Sequence, residues 1–163
     1  MQEMDLLGVR VEMPANAPMV LLRERSGAER VVPIFIGAPE ATSIAMALDG
    51  VETPRPMTHD LMRDVFDSLA IDVDRVVVTE LHDKTFYAEL HLVSNGERRS
   101  VSCRPSDALA IAIRTGTPIF ASDDVINEVG YVEGAEVDDD QPEEVVEEFK
   151  EFLDTISPED FED

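Results

Sequence analysis

Cys103-Arg104-Pro105-Ser106-Asp107-Ala108-Leu109-Ala110-Ile111-Ala112-Ile113-Arg114-Thr115-Gly116 is the stretch whose reading decides the fold. Ser106 can accept the free amides of a first helical turn. Asp107 lies where the helix dipole favours a negative charge, and Gly116 can take the left-handed conformation that ends a helix. Between Asp107 and Arg114 every side chain is Ala, Leu or Ile. A helix apolar on nearly all sides has no solvent face, and small residues let neighbouring backbones approach closely. The pattern predicts a short buried helix with Arg104, Ser106 and Asp107 held at the mouth of the core.

Working outward, the chain before this helix reads as strands joined by tight turns. Asn95-Gly96 is a strong hairpin signal between a strand at 85–93 and one at 98–103. In the 85–93 strand, Phe86, Ala88, Leu90 and Leu92 fall on one face and Tyr87, Glu89 and His91 on the other. His82-Asp83-Lys84 turns back to a strand at 72–81 centred on Val76-Val77-Val78. Upstream, Thr58 is placed to cap a helix carrying Leu61, Met62, Val65, Phe66 and Leu69, with His59 and Asp60 in its first turn. Pro54 and Pro56 keep the preceding linker out of helix.

The N-terminal third repeats this plan. Strands are expected at 4–13, 19–25 and 30–36, then an Ala-rich helix opened by Pro39 and closed at Asp49-Gly50. Setting Glu40-Ala41-x-x-Ile44-Ala45 over Asp107-Ala108-x-x-Ile111-Ala112, 67 residues apart, suggests an internal β-β-β-α duplication. A short strand at 118–120 and a small helix at 123–128 follow. The expected class is α+β, a largely antiparallel or mixed sheet packed by short Ala-rich helices.

Charge sets the partners. The 163 residues carry 13 basic and 36 acidic side chains, a net −23. Residues 136–163 hold 14 acids against Lys150 alone, so that segment carries −13 and residues 1–135 the remaining −10. The chain therefore divides into one domain, 1–135, and an acidic tail, 136–163, in which Val145, Phe149, Phe152 and Ile156 mark an amphipathic helix. Such a balance repels phosphate backbones, so any nucleic-acid function needs a local basic patch or bound cations. Glu3 and Asp5 near the start, no long apolar run and a lone Cys103 point to the cytoplasm, with no membrane partner and no disulfide. A partly buried thiol beside a core helix reads as packing rather than as a nucleophile.

Phosphate loops, dinucleotide fingerprints, His-Glu-x-x-His and cysteine clusters are all missing from the sequence. What remains is a set of polar residues at three helix starts. If these meet at one cleft, Glu40, Asp60 and Asp107 could hold Mg²⁺ or Mn²⁺ through hard oxygen ligands. His59 could serve as a base or ligand, and Arg55 or Arg104 could clamp a phosphate. The alternative is that each acid complements a helix dipole and each Arg pairs with a neighbouring acid.

These motifs together resemble the bifunctional nuclease domain family in order and spacing. The strings are Pro33 to Gly37 with Glu40-Ala41, Pro54-Arg-Pro-Met-Thr-His59-Asp60-Leu61, Thr85 to Ala88, Arg104-Pro-Ser-Asp107-Ala-Leu-Ala, and Pro118 to Phe120. The resemblance spans residues 4–133. It implies an α+β domain in an oligomer, expected as a homodimer, that cleaves DNA and RNA. It carries Glu40, His59, Asp60, Arg104, Ser106 and Asp107 forward as candidate site residues. Some relatives continue into a helical-hairpin module like one in excision-repair proteins, a pattern the tail here does not show. A second class, a non-enzymatic oligomeric module whose acidic tail meets a protein partner, fits the same charge.

Overall fold

Alternating apolar residues and two-residue turns write the sheet. β1 (Gln2–Glu12), β2 (Ala17–Glu24) and β3 (Val31–Phe35) form one antiparallel meander, and α1 (Ala38–Leu48) follows. After α2 (Thr58–Ser68), β4 (Asp72–His82), β5 (Thr85–Ser94) and β6 (Glu97–Cys103) form a second meander leading into α3 (Pro105–Thr115). The chain goes on through β7 (Ile119–Ala121) and α4 (Asp123–Val129). This computed structural model describes residues 1–134, and the amphipathic helix expected within the acidic tail lies outside them.

Both hairpins of the second meander use the turn chemistry that matches strand twist. Asp83 and Lys84 have φ of 48° and 63°, Asn95 and Gly96 51° and 79°, so both central residues of each turn are left-handed. The strand order is β3-β2-β1-β7-β4-β5-β6, a seven-stranded mixed sheet. β7 runs antiparallel to β1 and parallel to β4. The meanders thus fan outward from β7 with opposite sense, each followed by a helix.

α3 is the helix the core is built on. Ala108, Leu109, Ala110, Ile111 and Ala112 are at most 1% exposed, as its apolar girth requires. It contacts β4 and β5, with α1 and α2 packed against it and α1 over β1 and β2. Val20, Leu22, Ile34, Ile44, Val76 and Val78 complete the interior, each such large aliphatic contributing roughly 1.5–3 kcal/mol on burial. Gly116, at φ 65°, ends the helix as its position demands.

Two helix starts differ from expectation. In α3 the cap position belongs to Arg104 and Ser106 lies inside the first turn, because Pro105 suits the first helical residue and pulls the start forward. In α2 the cap is Met57 rather than Thr58, and the carboxylate of Asp60 accepts the Met57 N–H at 3.0 Å. Among the described residues no helix is long and apolar enough to cross a membrane.

Candidate functional site

Three helix N-termini meet, and each supplies its third residue: Glu40 in α1, Asp60 in α2, Asp107 in α3. An acid there faces the positive end of its own helix. The three acids do not, however, face one another. Arg104 lies between two of them, with NH1 2.9 Å from Glu40 Oε1, Nε 2.9 Å from Asp107 Oδ2 and NH2 3.1 Å from Asp107 Oδ1. Arg114, in the last turn of α3, donates through Nε to Asp60 Oδ1 at 2.7 Å.

His59 joins these two ion-paired groups. Its Nε2 is 2.9 Å from Asp107 Oδ1 and its Nδ1 2.8 Å from Ser43 Oγ, while Arg114 NH2 donates to that same Ser43 oxygen at 3.2 Å and to the Ser43 carbonyl at 3.1 Å. Arginine has only donors, so Ser43 Oγ accepts from Arg114. His59 Nε2 faces a carboxylate that can only accept, so it carries a hydrogen and gives it to Asp107; with Nδ1 unprotonated, the Ser43 hydroxyl donates to that nitrogen. One hydrogen-bonded chain therefore runs Glu40, Arg104, Asp107, His59, Ser43, Arg114, Asp60.

Five members of this chain, Glu40, Ser43, His59, Arg104 and Asp107, line a cleft of about 540 Å³ that also has an apolar lining of Met62, Leu90, Val101 and Ile111, whereas Asp60 lies outside it and lines a separate pocket with Arg63. His59 is nearly buried, whereas the Arg104 side chain is 65% exposed at the rim. Glu40 folds back so closely over Gly37 that a Cβ at that position would meet its carboxylate, which accounts for glycine at the start of α1. Cys103 also lines the cleft, but burial pushes its thiol up to about 11, so it stays protonated and inert.

Not every expected residue belongs here. Arg55 is exposed and lends only its carbonyl, to the Thr53 hydroxyl. Ser106 is buried and faces a second cleft on the other side of Arg104. Two residues that the sequence reading passed over, Ser43 and Arg114, are integral. Arg114 had a usable signal: it stands seven residues, two helical turns, after Asp107 on an otherwise apolar helix, so a buried charge there required a partner. Ser43 had none beyond its place one turn after Glu40.

As arranged, the acids do not make a cation cage. Among the described residues no group of three or more His, Cys, Asp or Glu side chains is placed to hold a metal ion. Asp60 is turned to Arg114, and Glu40 and Asp107 share Arg104.

The ion pairs fix the charge state of the site. The Arg114 hydrogen bond holds Asp60 below the usual carboxylate range, helped by the Met57 amide. At Asp107 burial pushes upward, but hydrogen bonds from Arg104 and His59 outweigh it and the carboxyl is held low as well. Glu24, buried against Arg30 at 2.8 Å, is lowered chiefly by that partner. A carboxylate with a depressed folded-state pKa contributes stability that is complete above its unfolded value, near 4, and fades as pH falls through the folded one. The urea midpoint is therefore expected to fall below about pH 4. Part of that acid limb should be missing in Asp60→Asn, a comparison that cancels the opposing relief of overall charge repulsion. An acid limb identical in both proteins would contradict it.

Taken together, these features define an α+β domain with one charge-rich cleft walled by three helix starts and an Arg exposed at its rim. The chain belongs to the bifunctional nuclease domain family, whose family model matches residues 20–133. It is 45% identical over 165 residues to an uncharacterized protein of Mycobacterium tuberculosis (strain H37Rv), covering 99% of this chain and 98% of that one. It is 27% identical over 142 residues to bifunctional nuclease 1 of Oryza sativa subsp. indica, covering 85% of this chain and 41% of the rice protein. To bifunctional nuclease 2 of Arabidopsis thaliana it is 30% identical over 112 residues, covering 66% of this chain and 34% of that protein. The chain thus spans less than half the length of these plant nucleases.

Proposed function

We propose that this chain is a nuclease that hydrolyses phosphodiester bonds of DNA and RNA at the cleft around Arg104. The observation that carries the reading is the hydrogen-bonded series Ser43, His59, Asp107 ending beside an exposed guanidinium. Arg104 spends three of its five N–H donors on Glu40 and Asp107, leaving two for a phosphate oxygen. A water attacking phosphorus gives its proton to Ser43 Oγ as Ser43 passes its own to His59 Nδ1. Asp107 stabilises the imidazolium so formed, while the leaving oxygen, on the opposite side of phosphorus, takes its proton from solvent and the imidazolium later returns its own to solvent. No 2′-hydroxyl is consumed, which is why both DNA and RNA can serve.

The homodimer expected from the resemblance belongs to the same proposal. It is favoured by Leu61, Val65 and Leu69, spaced four residues apart along α2 and its C-terminal cap and each at least 43% exposed.

The test is cleavage of labelled DNA and RNA oligonucleotides by the purified chain, with and without EDTA, beside Arg104→Ala. Arg104→Ala is expected to lower the rate at least 10²-fold, and the Arg104-centred mechanism keeps its rate in EDTA. A rate lost to EDTA and restored by Mg²⁺ or Mn²⁺ would assign Glu40 and Asp107 to a cation instead. Binding without cleavage under either condition would make the chain a binding module.

A further inference from the structure

The site described above does not by itself attract a polyanion. Arg104 carries one positive charge between two carboxylates, so the cluster at the rim is net negative, on a domain that is already acidic. A phosphodiester reaching Arg104 needs a second cation close by and something uncharged to hold it. Both are present on the other side of the same side chain.

A second cleft, of about 410 Å³, shares Arg104 with the first. It is walled by the ends of β3 and β5, by the β4–β5 turn and by the start of α3. Phe35, the last residue of β3, stands in it 55% exposed, on the strand face opposite the buried Ile34. Phe86 forms part of the opposite wall, packed from behind by the core and so held in place. Lys84, the only lysine before Lys150, projects from the left-handed turn at the cleft edge, and among the described residues it has no ion-pair partner. Ser106 is buried but for the edge it presents to the cleft. An exposed aromatic face, a free ammonium and a hydroxyl on one wall of a nucleotide-sized groove are the components that hold an unpaired base and its phosphate.

We propose that this second cleft binds an unpaired nucleotide next to the scissile phosphate, its base stacked on Phe35 and its phosphates shared between Lys84 and Arg104, so that the substrate is single-stranded DNA or RNA. The assignment rests on the nuclease reading for the position of the scissile phosphate. In a duplex both faces of each base are covered by their neighbours, and Phe35 has nothing to stack on. Lys84 supplies the charge that the Arg104 cluster lacks, while Ser106 offers one hydrogen bond to the sugar or base edge, too little to demand a particular sequence.

The experiment is equilibrium binding by fluorescence anisotropy, using the full chain and a fluorescein-labelled oligothymidylate of about a dozen residues. Its duplex with oligoadenylate serves as comparison, and each probe is checked for integrity after the reading. Single strand should bind at least tenfold tighter than duplex. Phe35→Ala should weaken single-strand binding about five- to hundred-fold, the worth of one stacked base, and leave duplex binding within twofold; Phe35→Trp should retain affinity. Because Phe35 is largely exposed, its truncation leaves the core untouched. Lys84→Gln should lower the slope of log affinity against log salt by about 0.7, one phosphate contact to a single strand.

Duplex bound as well as single strand, indifference to Phe35→Ala, or no oligonucleotide binding at all would each overturn the assignment. Binding and cleavage that both ignore Phe35→Ala overturn the cleft and leave the nuclease reading standing. Phe35-dependent binding with no cleavage does the reverse.

Discussion

Asp107→Asn is expected to lower the rate of phosphodiester cleavage about 10²–10⁴-fold with the fold intact, the range that a positioned acid–base group supplies. Asparagine keeps the shape but not the charge. Asp107 receives Arg104 through both oxygens and His59 through one. The amide would turn an N–H₂ toward one of these donors and remove the anion that supports a charged imidazole. The loss should appear in kcat rather than KM, since Arg104 remains to meet the phosphate. Glu40→Gln is the control: Glu40 touches the chain only at Arg104, at its far end from His59, and about a tenfold loss or less is expected. Circular dichroism and the thermal midpoint show whether the variant is folded. A folded Asp107→Asn within threefold of the parent rate would reduce the His59–Asp107 contact to a structural ion pair.

Arg114→Met is expected to be the most destabilising single change among the charged residues of the site. The Arg114 side chain is 7% exposed and that of Asp60 23%, so methionine fills the space but leaves a carboxylate without its partner where water reaches poorly. Breaking a buried pair from one side costs about 3–5 kcal/mol, whereas replacing both partners costs far less. The thermal midpoint should fall by roughly 10 °C. The double variant Asp60→Asn/Arg114→Met should recover at least half of that loss. Arg114 also donates to the carbonyls of Ala110 and Ser43 and to Ser43 Oγ, so activity should fall in both proteins and return in neither. This separation of stability from rate identifies Arg114 as a positioning residue. A loss under about 1 kcal/mol would mean that solvent takes over the role of the guanidinium.

How far the sequence could carry the reading is clear from these two arginines. Strand positions and both tight turns were legible because they are local: alternation fixes a face, and Asn95-Gly96 fixes a hairpin, without reference to anything distant. The helix starts were legible to within one or two residues, and the error had a cause. Ser and Thr are the usual caps, but Pro105 set the start of α3, and Asp60 capped α2 from inside.

Convergence of Glu40, His59, Asp60 and Asp107 on one region was expected, but their mutual relation was not legible. That relation depends on Arg114 reaching Asp60 across 54 positions and Arg104 reaching Glu40 across 64. Counting acids suggested a place for a cation. In the structure each of those acids is paired with an arginine, Arg104 at the cap of α3 or Arg114 in its last turn.

The three residues of β7 carry a burden out of proportion to their number. Among the described residues every strand pairing except theirs is between strands that are neighbours in sequence, so during synthesis each half of the sheet can form as it emerges. Gln2–Met4 must wait for Ile119–Ala121, more than a hundred residues later, before the halves are joined. Until then the inner margins of β1 and β4 are open templates for any passing strand. A chain interrupted before Ile119 would keep all three helix-start acids, yet have no seam to hold them together and two adhesive edges with which to aggregate.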